Sequence, residues 1–529
     1  MLDYVMSGLG LPDWAPPGSR YYENTVNGLW LKGKQYQHIP YAFTDTRDRS
    51  GRALKLFDKR PSVRLNLPYL GARLSSRKLL VGKHAPIVET DSEQFKKDIK
   101  WLVTKSKLYW YGADAAFNGQ AGSAAMILSI VDELPIIQVA PGKNCIPTYD
   151  DANRLTNFQT NYVIRGIDWL AQKTKQEQDS NGDNIDPAKQ YWFIRIWTPE
   201  VVTTVVPVPV GDWNPEQGWT KQGQGEFKPV PDLSDIHNLG LVPVVWIRNI
   251  ADCDSIDGMS SFGIALPNCL HLDVTLSNMG RGFNYMGNPQ LFVKGKILSA
   301  GGSQTHTYNM DTMLQVAADK RNADGSGVSG AEAKLLEMSA DGLKVGLEFW
   351  VEKVKHWTLE SISLSRKDPN NLKGAMSGTA IALIDEDFFD FVESLKMPYG
   401  EMGILEVVKI FIRMYKILGI GGRFEGVSDD QIEEIELDWP RLYEAEPQEV
   451  QYLVTALSGA VTAGFMNTEE GSDILAAALD KELTWTEPEQ NTLIEKPGQA
   501  QEDDLAMRQQ DQKLKEKQLS QKPKPAAKK

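Results

Sequence analysis

The sequence predicts an α+β protein: a large mixed domain from which two long helices emerge, with a small strand-rich insertion between them. Three observations predict it. Apolar residues recur with helical spacing over 66–82, 266–287, 341–365 and 403–419. Strand-like runs rich in β-branched and aromatic residues fill 124–150, 191–210 and 240–249. The pieces NPQLFVKGKILS, MLQVAA and AKLLEM, set around the turn-forming NADGSGVSG, lie between two of those helices.

Taken in order, residues 1–60 are rich in aromatics and turn formers and predict short elements. NLPYLGARLSSRKLLVG (66–82) predicts a helix stopped at Gly82, and 92–117 predicts a second helix. AAMILSIVDELPIIQVAPGKNCIPTYD predicts short strands broken at Glu-Leu-Pro and Pro-Gly. The prolines of 191–210 place that segment near a sheet edge. GLVPVVWIRN predicts a short buried strand.

In 266–287, Leu272, Leu276, Met279, Phe283 and Met286 alternate steps of four and three, an apolar stripe along one helix face that Asn288-Pro289 ends. Leu343, Leu347, Trp350, Val354 and Trp357 repeat the rhythm in 341–365. Both helices are roughly 30–34 Å long, and an antiparallel pair carrying the insertion at its far end is the economical geometry. Helix resumes after the polar loop SRKDPNNLKGAMS (365–377), is interrupted at Pro398, and stops at Gly419, Gly421 and Gly422. EEIELDW predicts a strand, and 447–465 and 467–480 two helices, the second capped by Asn467 with Glu470. From Glu495 the chain is Gln-, Lys- and Pro-rich and predicts a disordered tail.

At 529 residues, 41% hydrophobic and 24% charged, the chain has a globular composition. A net charge of −13 argues against a protein that coats nucleic acid. Cys145, Cys253 and Cys269 form no C-x-x-C pair and the six histidines no ligand-spaced pair, so neither zinc nor a disulfide framework is expected. The N-terminus lacks a signal-peptide pattern. Glu406, Lys409, Arg413 and Lys416 break the most apolar helix, so a membrane span is not expected.

Gly28-x4-Gly33-Lys34 outlines a phosphate-binding loop, but Gln35 stands where a hydroxyl belongs and no apolar strand precedes it. Asp179, Asn181, Asp183 and Asp186 have calcium-like spacing, but the loop lacks the sixth-position glycine and carries Gln190 at the twelfth; a solvated loop is the better reading. The carboxylates of EDFFDFVE and SDDQIEE read as solvated helix faces, and no G-x-S-x-G elbow occurs. No catalytic residue, cofactor or metal is assigned, and the expectation is a protein that is not an enzyme.

From about Asn66 to Asp480 the order of segments resembles the portal proteins of tailed double-stranded DNA bacteriophages. LGLVPVVWIRN, a polar loop with DGMSSFG, and a helix running into GNPQLFVKG are similar to that family's strand, loop and stem helix leading to the clip. GAMSGTAIAL resembles its segment after the second stem helix, and LDWPRLYEAEPQEVQYLVTALSGAV the start of its crown.

The resemblance implies a wing (1–265 and 378–430, the latter a long kinked helix), stem helices (266–287 and 341–364), an α/β clip (288–340), a tunnel loop (365–377), a helical crown (431–497) and a tail (498–529). It implies a dodecameric ring at one capsid vertex of the virion, made in the host cytoplasm. Double-stranded DNA would pass through it without sequence specificity during packaging and ejection. Implied partners are the large terminase, a head-completion or adaptor protein, the major capsid protein and a scaffold protein. Arg366, Lys367 and Lys373 against Asp368 make the loop net basic, suited to loose phosphate contacts. The loop's residues taken alone equally fit a plain helix-reversing turn with solvated lysines. Leu272, Leu276, Met279, Phe283, Leu347, Trp350, Val354 and Trp357 are read as assembly surfaces rather than chemical sites. The alternatives are another ring-forming virion protein of the tail or baseplate and an intracellular enzyme of unrecognised type.

Overall fold

A computed structural model describes residues 15–45, 47–55, 58–90, 92–171, 185–220, 225–287, 290–294, 296–297, 316–317, 332–336, 344–345, 351–362, 386–440, 447–463 and a few positions up to 475. Those residues are a mixture of helix and sheet, an α+β protein. The chain divides into a large unit, 1–442, and a smaller one, 443–529.

Helix α1 (Arg20–Leu31) starts where the Ser19 hydroxyl accepts a hydrogen bond from Tyr22 N. It closes in a turn through Gly33, whose φ of 64° suits a residue without Cβ. The Gly28–Lys34 outline is therefore helix followed by its C-terminal turn. A phosphate loop precedes a helix and uses its N-terminal N–H groups, whereas here the lysine sits at the carbonyl end.

Next come α2 (Leu67–Leu80), β1 (Ile87–Glu89), α3 (Glu93–Ser106) and α4 (Leu108–Gly119). The single helix expected over 92–117 is broken at Lys107, which caps α3 in the left-handed conformation at φ 53°. The break re-aims the chain, so that α4 lies on the sheet that follows and buries Ala115 and Ala116.

The principal strands that follow are β2 (Ser123–Val131), β3 (Leu134–Pro141), β4 (Cys145–Tyr149), β5 (Leu155–Arg165), β6 (Gln190–Trp197), β7 (Val201–Thr204) and β8 (Val244–Arg248). One antiparallel sheet has the order β8-β2-β3, with Trp246 opposite Ala125 and Ile127 opposite Gln138. A second is the meander β4-β5-β6-β7, joined by short edge pieces at Val208–Pro209 and Asp235–Ile236. The turn between β2 and β3 is Asp132-Glu133, both at positive φ, and not the expected Glu-Leu-Pro. Leu134 and Pro135 belong to the strand, because a two-residue hairpin turn must be left-handed to match the twist of its strands.

Helix α5 (Leu266–Gly287) has the extent the apolar stripe predicts. Two strands of the insertion, β9 (Gln290–Lys294) and β10 (Glu332–Leu336), pair antiparallel. Helix α6 (Glu352–Ser361) then returns beside α5.

Helix α7 (Glu386–Ser394) leads into a π-helical stretch, Lys396–Leu405, and on to α8 (Glu406–Leu418), which Gly419 caps in the left-handed conformation. Pro398 thus falls inside the widened stretch. Proline cannot supply the normal helical N–H, and a π-helical segment absorbs that loss while redirecting the helix. Strand β11 (Glu436–Asp438) pairs antiparallel with β1.

The main core lies between α3, α4, the β8-β2-β3 sheet and α8, with Ile99, Leu102, Met126, Leu128, Ile247, Phe411 and Phe424 buried. Two of the carboxylates of SDDQIEE are partnered: Glu433 takes Lys409 at 2.9 Å and also Arg413, and Asp429 takes Lys416 at 2.8 Å. The charges that broke the apolar run of α8 are thereby tied down along its outer edge.

In the smaller unit, α9 (Pro447–Thr462) is the principal described element. The Asp179–Asp183 segment, residues 1–14 and the tail beyond 495 lie outside the described residues.

Candidate functional site

The paired helices α5 and α6 are rooted in the large unit by two buried polar networks, one on each side of the start of α5. The first lies in the polar loop ahead of the helix. Asp257 is buried and accepts four hydrogen bonds: from Arg20 Nε (2.5 Å) and Nη2 (3.0 Å), from Asn24 Nδ2 (3.0 Å) and from the Ser123 hydroxyl. Every lone pair of the carboxylate is then used, the condition under which a buried charge is tolerable. Arg20 also donates to Gly142 O at 3.2 Å, so that α1, β2 and the turn after β3 meet around the Arg20–Asp257 pair.

Its neighbour Gly258 has no room for a side chain. A Cβ there would sit 2.6 Å from Asn249 N and 2.7 Å from Ile250 O, both backbone atoms. Asn249 closes the loop by donating to Met259 O (2.9 Å) and Ser261 Oγ (2.7 Å), and its carbonyl accepts from the Tyr399 hydroxyl at 2.9 Å. The conspicuous DGMSSFG stretch is thus a clasp between α1, the first sheet and the π-helical stretch, pinned by the buried Asp257 and Phe262 while Met259 stays exposed.

The second network lies within α5. Asp273 is 1% exposed. Its carboxylate accepts from the Tyr36 hydroxyl (2.9 Å) and from Leu65 N (3.0 Å). One turn on, the Ser277 hydroxyl donates to Asp273 O (2.7 Å) and accepts from Val63 N (3.0 Å). Burial raises the Asp273 carboxyl to about 6, against the pull of its hydrogen bonds and of Arg64. Burial, with the Asp273 charge beside it, pushes the Cys269 thiol up to about 12. Around this network Leu270, Leu272, Val274 and Met279 of α5 pack with Val351, Val354 and Ile362 and with Trp30, Tyr36 and Leu67. Burying each large aliphatic side chain contributes about 1.5–3 kcal/mol, so this cluster holds the root of the pair firmly.

Of the residues read as assembly surfaces, Leu272, Met279 and Val354 are buried in this cluster and Leu276 packs against it. Trp357 points outward and is 55% exposed, while Thr358 beside it is buried. The side chains of Phe283, Leu347 and Trp350, and the whole loop carrying Arg366, Lys367 and Lys373, lie outside the described residues.

The sequence reading did not single out Arg20, Asp257, Asn249, Tyr36 or Asp273. A signal was present for Asp273, the single carboxylate in the sequence of α5, set one turn before Ser277. None was present for Arg20, whose partner is 237 positions away.

Among the described residues, one group could ligate a metal: Asp252, Cys253 and Asp254, whose donor atoms lie within 4.8 Å of one another. Asp252 Oδ1 already accepts from Asp254 N at 3.1 Å in a local turn, and the group is largely exposed. Cys145 and Cys269 are buried free thiols. No described helix is long and apolar enough to cross a membrane.

No family model and no curated protein matches the chain. Among solved structures it is similar to a chain in the neck of an empty gene transfer agent particle computed with C6 symmetry. The match has 10% identity and a TM-score of 0.37, over 79% of this chain and 89% of that one. It is also similar to a chain of the virion of the native gene transfer agent particle, at 10% identity and a TM-score of 0.37, over 92% of this chain and all of that one. Overlap that loose carries no argument about function.

Proposed function

We propose that the chain is the portal subunit of a tailed phage-like particle. It forms a ring at one vertex, lets duplex DNA pass during packaging and ejection, and docks a terminase and a head-completion protein. One observation carries the reading. Within the large unit, α5 is followed by a small antiparallel sheet of β9 and β10, and then by α6, which packs beside α5. That succession supports the reading of a stem and clip.

Rooted helices suit a part that transmits load between a ring body and whatever docks on the insertion. The outward Trp357 on α6 offers apolar surface to a neighbouring subunit, an assembly role rather than a chemical one. The basic loop at 365–377 would face the channel, where repeated loose phosphate contacts track the DNA backbone without reading its sequence.

Negative-stain electron microscopy of the purified protein, with native mass as a check, tests the reading. Rings with a central hole are expected. Compact particles without a hole, persisting under every assembly condition tried, would overturn it.

A further inference from the structure

The helix α3, the start of α4 and strand β1 enclose a groove of about 550 Å³ that neither buried network uses. Its floor is aliphatic: Pro86, Ile87, Val88, Ile99 and Val103. At one end stands Trp110, 76% exposed, a large apolar side chain left in solvent on a helix that is otherwise well packed. Lysines 96, 100 and 107 line the rim, and no carboxylate is in the lining, on a chain whose net charge is −13. Glu89 reaches Lys96 at 3.4 Å from outside the groove. Lys100 and Lys107 are exposed, with no ion pair among the described residues.

The rim runs along α3 in steps of four and seven, about 16 Å from Lys96 to Lys107 at 1.5 Å per residue. That is the length of three helical turns. Lys107 is held at the groove's end by the left-handed break between α3 and α4, which also turns Trp110 to the same end.

We propose that this groove docks an acidic amphipathic helix of a partner protein. The partner's apolar stripe would sit on the aliphatic floor against Trp110, and its flanking carboxylates would meet Lys96, Lys100 and Lys107. Charge complementarity selects the sign of the partner, and the floor selects a helix face over a nucleic-acid backbone, which offers phosphates but no aliphatic anchor. Among the described helices, the acidic amphipathic α7 is already committed: Val392 is fully buried in the main core and Phe388 and Phe391 pack against it. The inference does not depend on the portal reading.

The test uses the full-length protein and fluorescence anisotropy of a labelled synthetic peptide, with Leu and Phe at helical spacing and Glu on both flanks. Controls are the same apolar pattern with Lys in place of Glu, a scrambled acidic peptide and a duplex oligonucleotide. The patterned acidic peptide should bind, less tightly as salt rises, and Trp110→Ala should weaken it about tenfold or more, as loss of a central aromatic anchor does. Lys100→Glu with Lys107→Glu should abolish binding. Lys100→Gln with Lys107→Gln keeps the same readout if the charge reversal alters the circular dichroism spectrum.

Equal binding of the basic or scrambled peptide, indifference to these variants, or no binding at all would overturn the proposal. So would displacement of the peptide by the oligonucleotide, which would make the groove a nucleic-acid site. A fall in oligomer mass on Trp110→Ala without peptide would make the occupant a second copy, and would equally overturn it.

Discussion

Arg20 and Asp257, 237 positions apart in the chain, form a two-pronged ion pair at 2.5 and 3.0 Å that locks the first helix to the loop ahead of α5. Asp257 is 5% exposed, and the Arg20 side chain keeps about a quarter of its surface in solvent. The carboxylate is thus the costly partner to remove. Without it, Arg20, Asn24 and Ser123 all lose an acceptor.

Asp257→Ala should destabilise the large unit by about 2–4 kcal/mol, the range for stripping one side of a buried, hydrogen-bonded charge pair. Arg20→Ala should cost less, because water reaches the arginine. Urea denaturation of both single variants and the double variant gives the coupling directly. A cost below about 1 kcal/mol for Asp257→Ala would show that the clasp does not hold the loop.

Gly258→Ala should cost about 2 kcal/mol or more, since the added methyl meets backbone atoms of residues 249, 250 and 122 that cannot step aside as a side chain can. The expected signature is a lowered thermal midpoint with loss of the ordered loop. Hydrogen exchange at Met259, whose amide donates across the loop to Ile250 O, and at Asn249, whose amide donates to Gly122 O, reports it.

Asp273 makes stability depend on pH in a definite direction. Its folded value, about 6, lies above its ordinary 3.8, so the folded state binds the proton more tightly than the unfolded chain does. The stability this contributes is complete below about pH 4 and is lost as pH rises through about 6. Asp273→Asn, which cannot ionise, should remove a slope of about 1–3 kcal/mol across that window. Parallel denaturation curves for parent and variant at pH 4 and pH 7 measure the difference. An unchanged difference between them would refute the assignment.

On the proposed portal function, Lys367→Ala combined with Lys373→Ala should leave ring assembly intact and reduce DNA packaging several-fold. Electron microscopy and a nuclease-protection packaging assay read the two separately. Rings that fail to form would remove the loop from the channel role and make it an assembly element.

Patterns with a single local cause were legible in the sequence. The extent of α5 followed from a stripe of Leu272, Leu276, Met279 and Phe283 ended by Asn-Pro, and the stop of α8 from its glycines. Local conflicts were misread where tertiary packing chose among them. Lys107 breaks α3 from α4 against its own conformational preference, because α4 must turn to cover the sheet. Asp132-Glu133 turns the first hairpin without the glycine that usually marks such a turn. Pro398, expected to interrupt a helix, is carried inside a π-helical stretch whose Tyr399 reaches Asn249.

By itself the sequence determined the α+β class, the helix that becomes α5 and the strands β9 and β10 that follow it, because periodicity and turn chemistry act over a few residues. Only the tertiary structure decided that Arg20 would meet Asp257, that Tyr36 and Leu65 would hold Asp273, and that lysines on α3 would rim a groove ending at Trp110. Those pairings join residues far apart in the chain. Their energy comes from desolvation and close packing, which exist only once the elements are assembled.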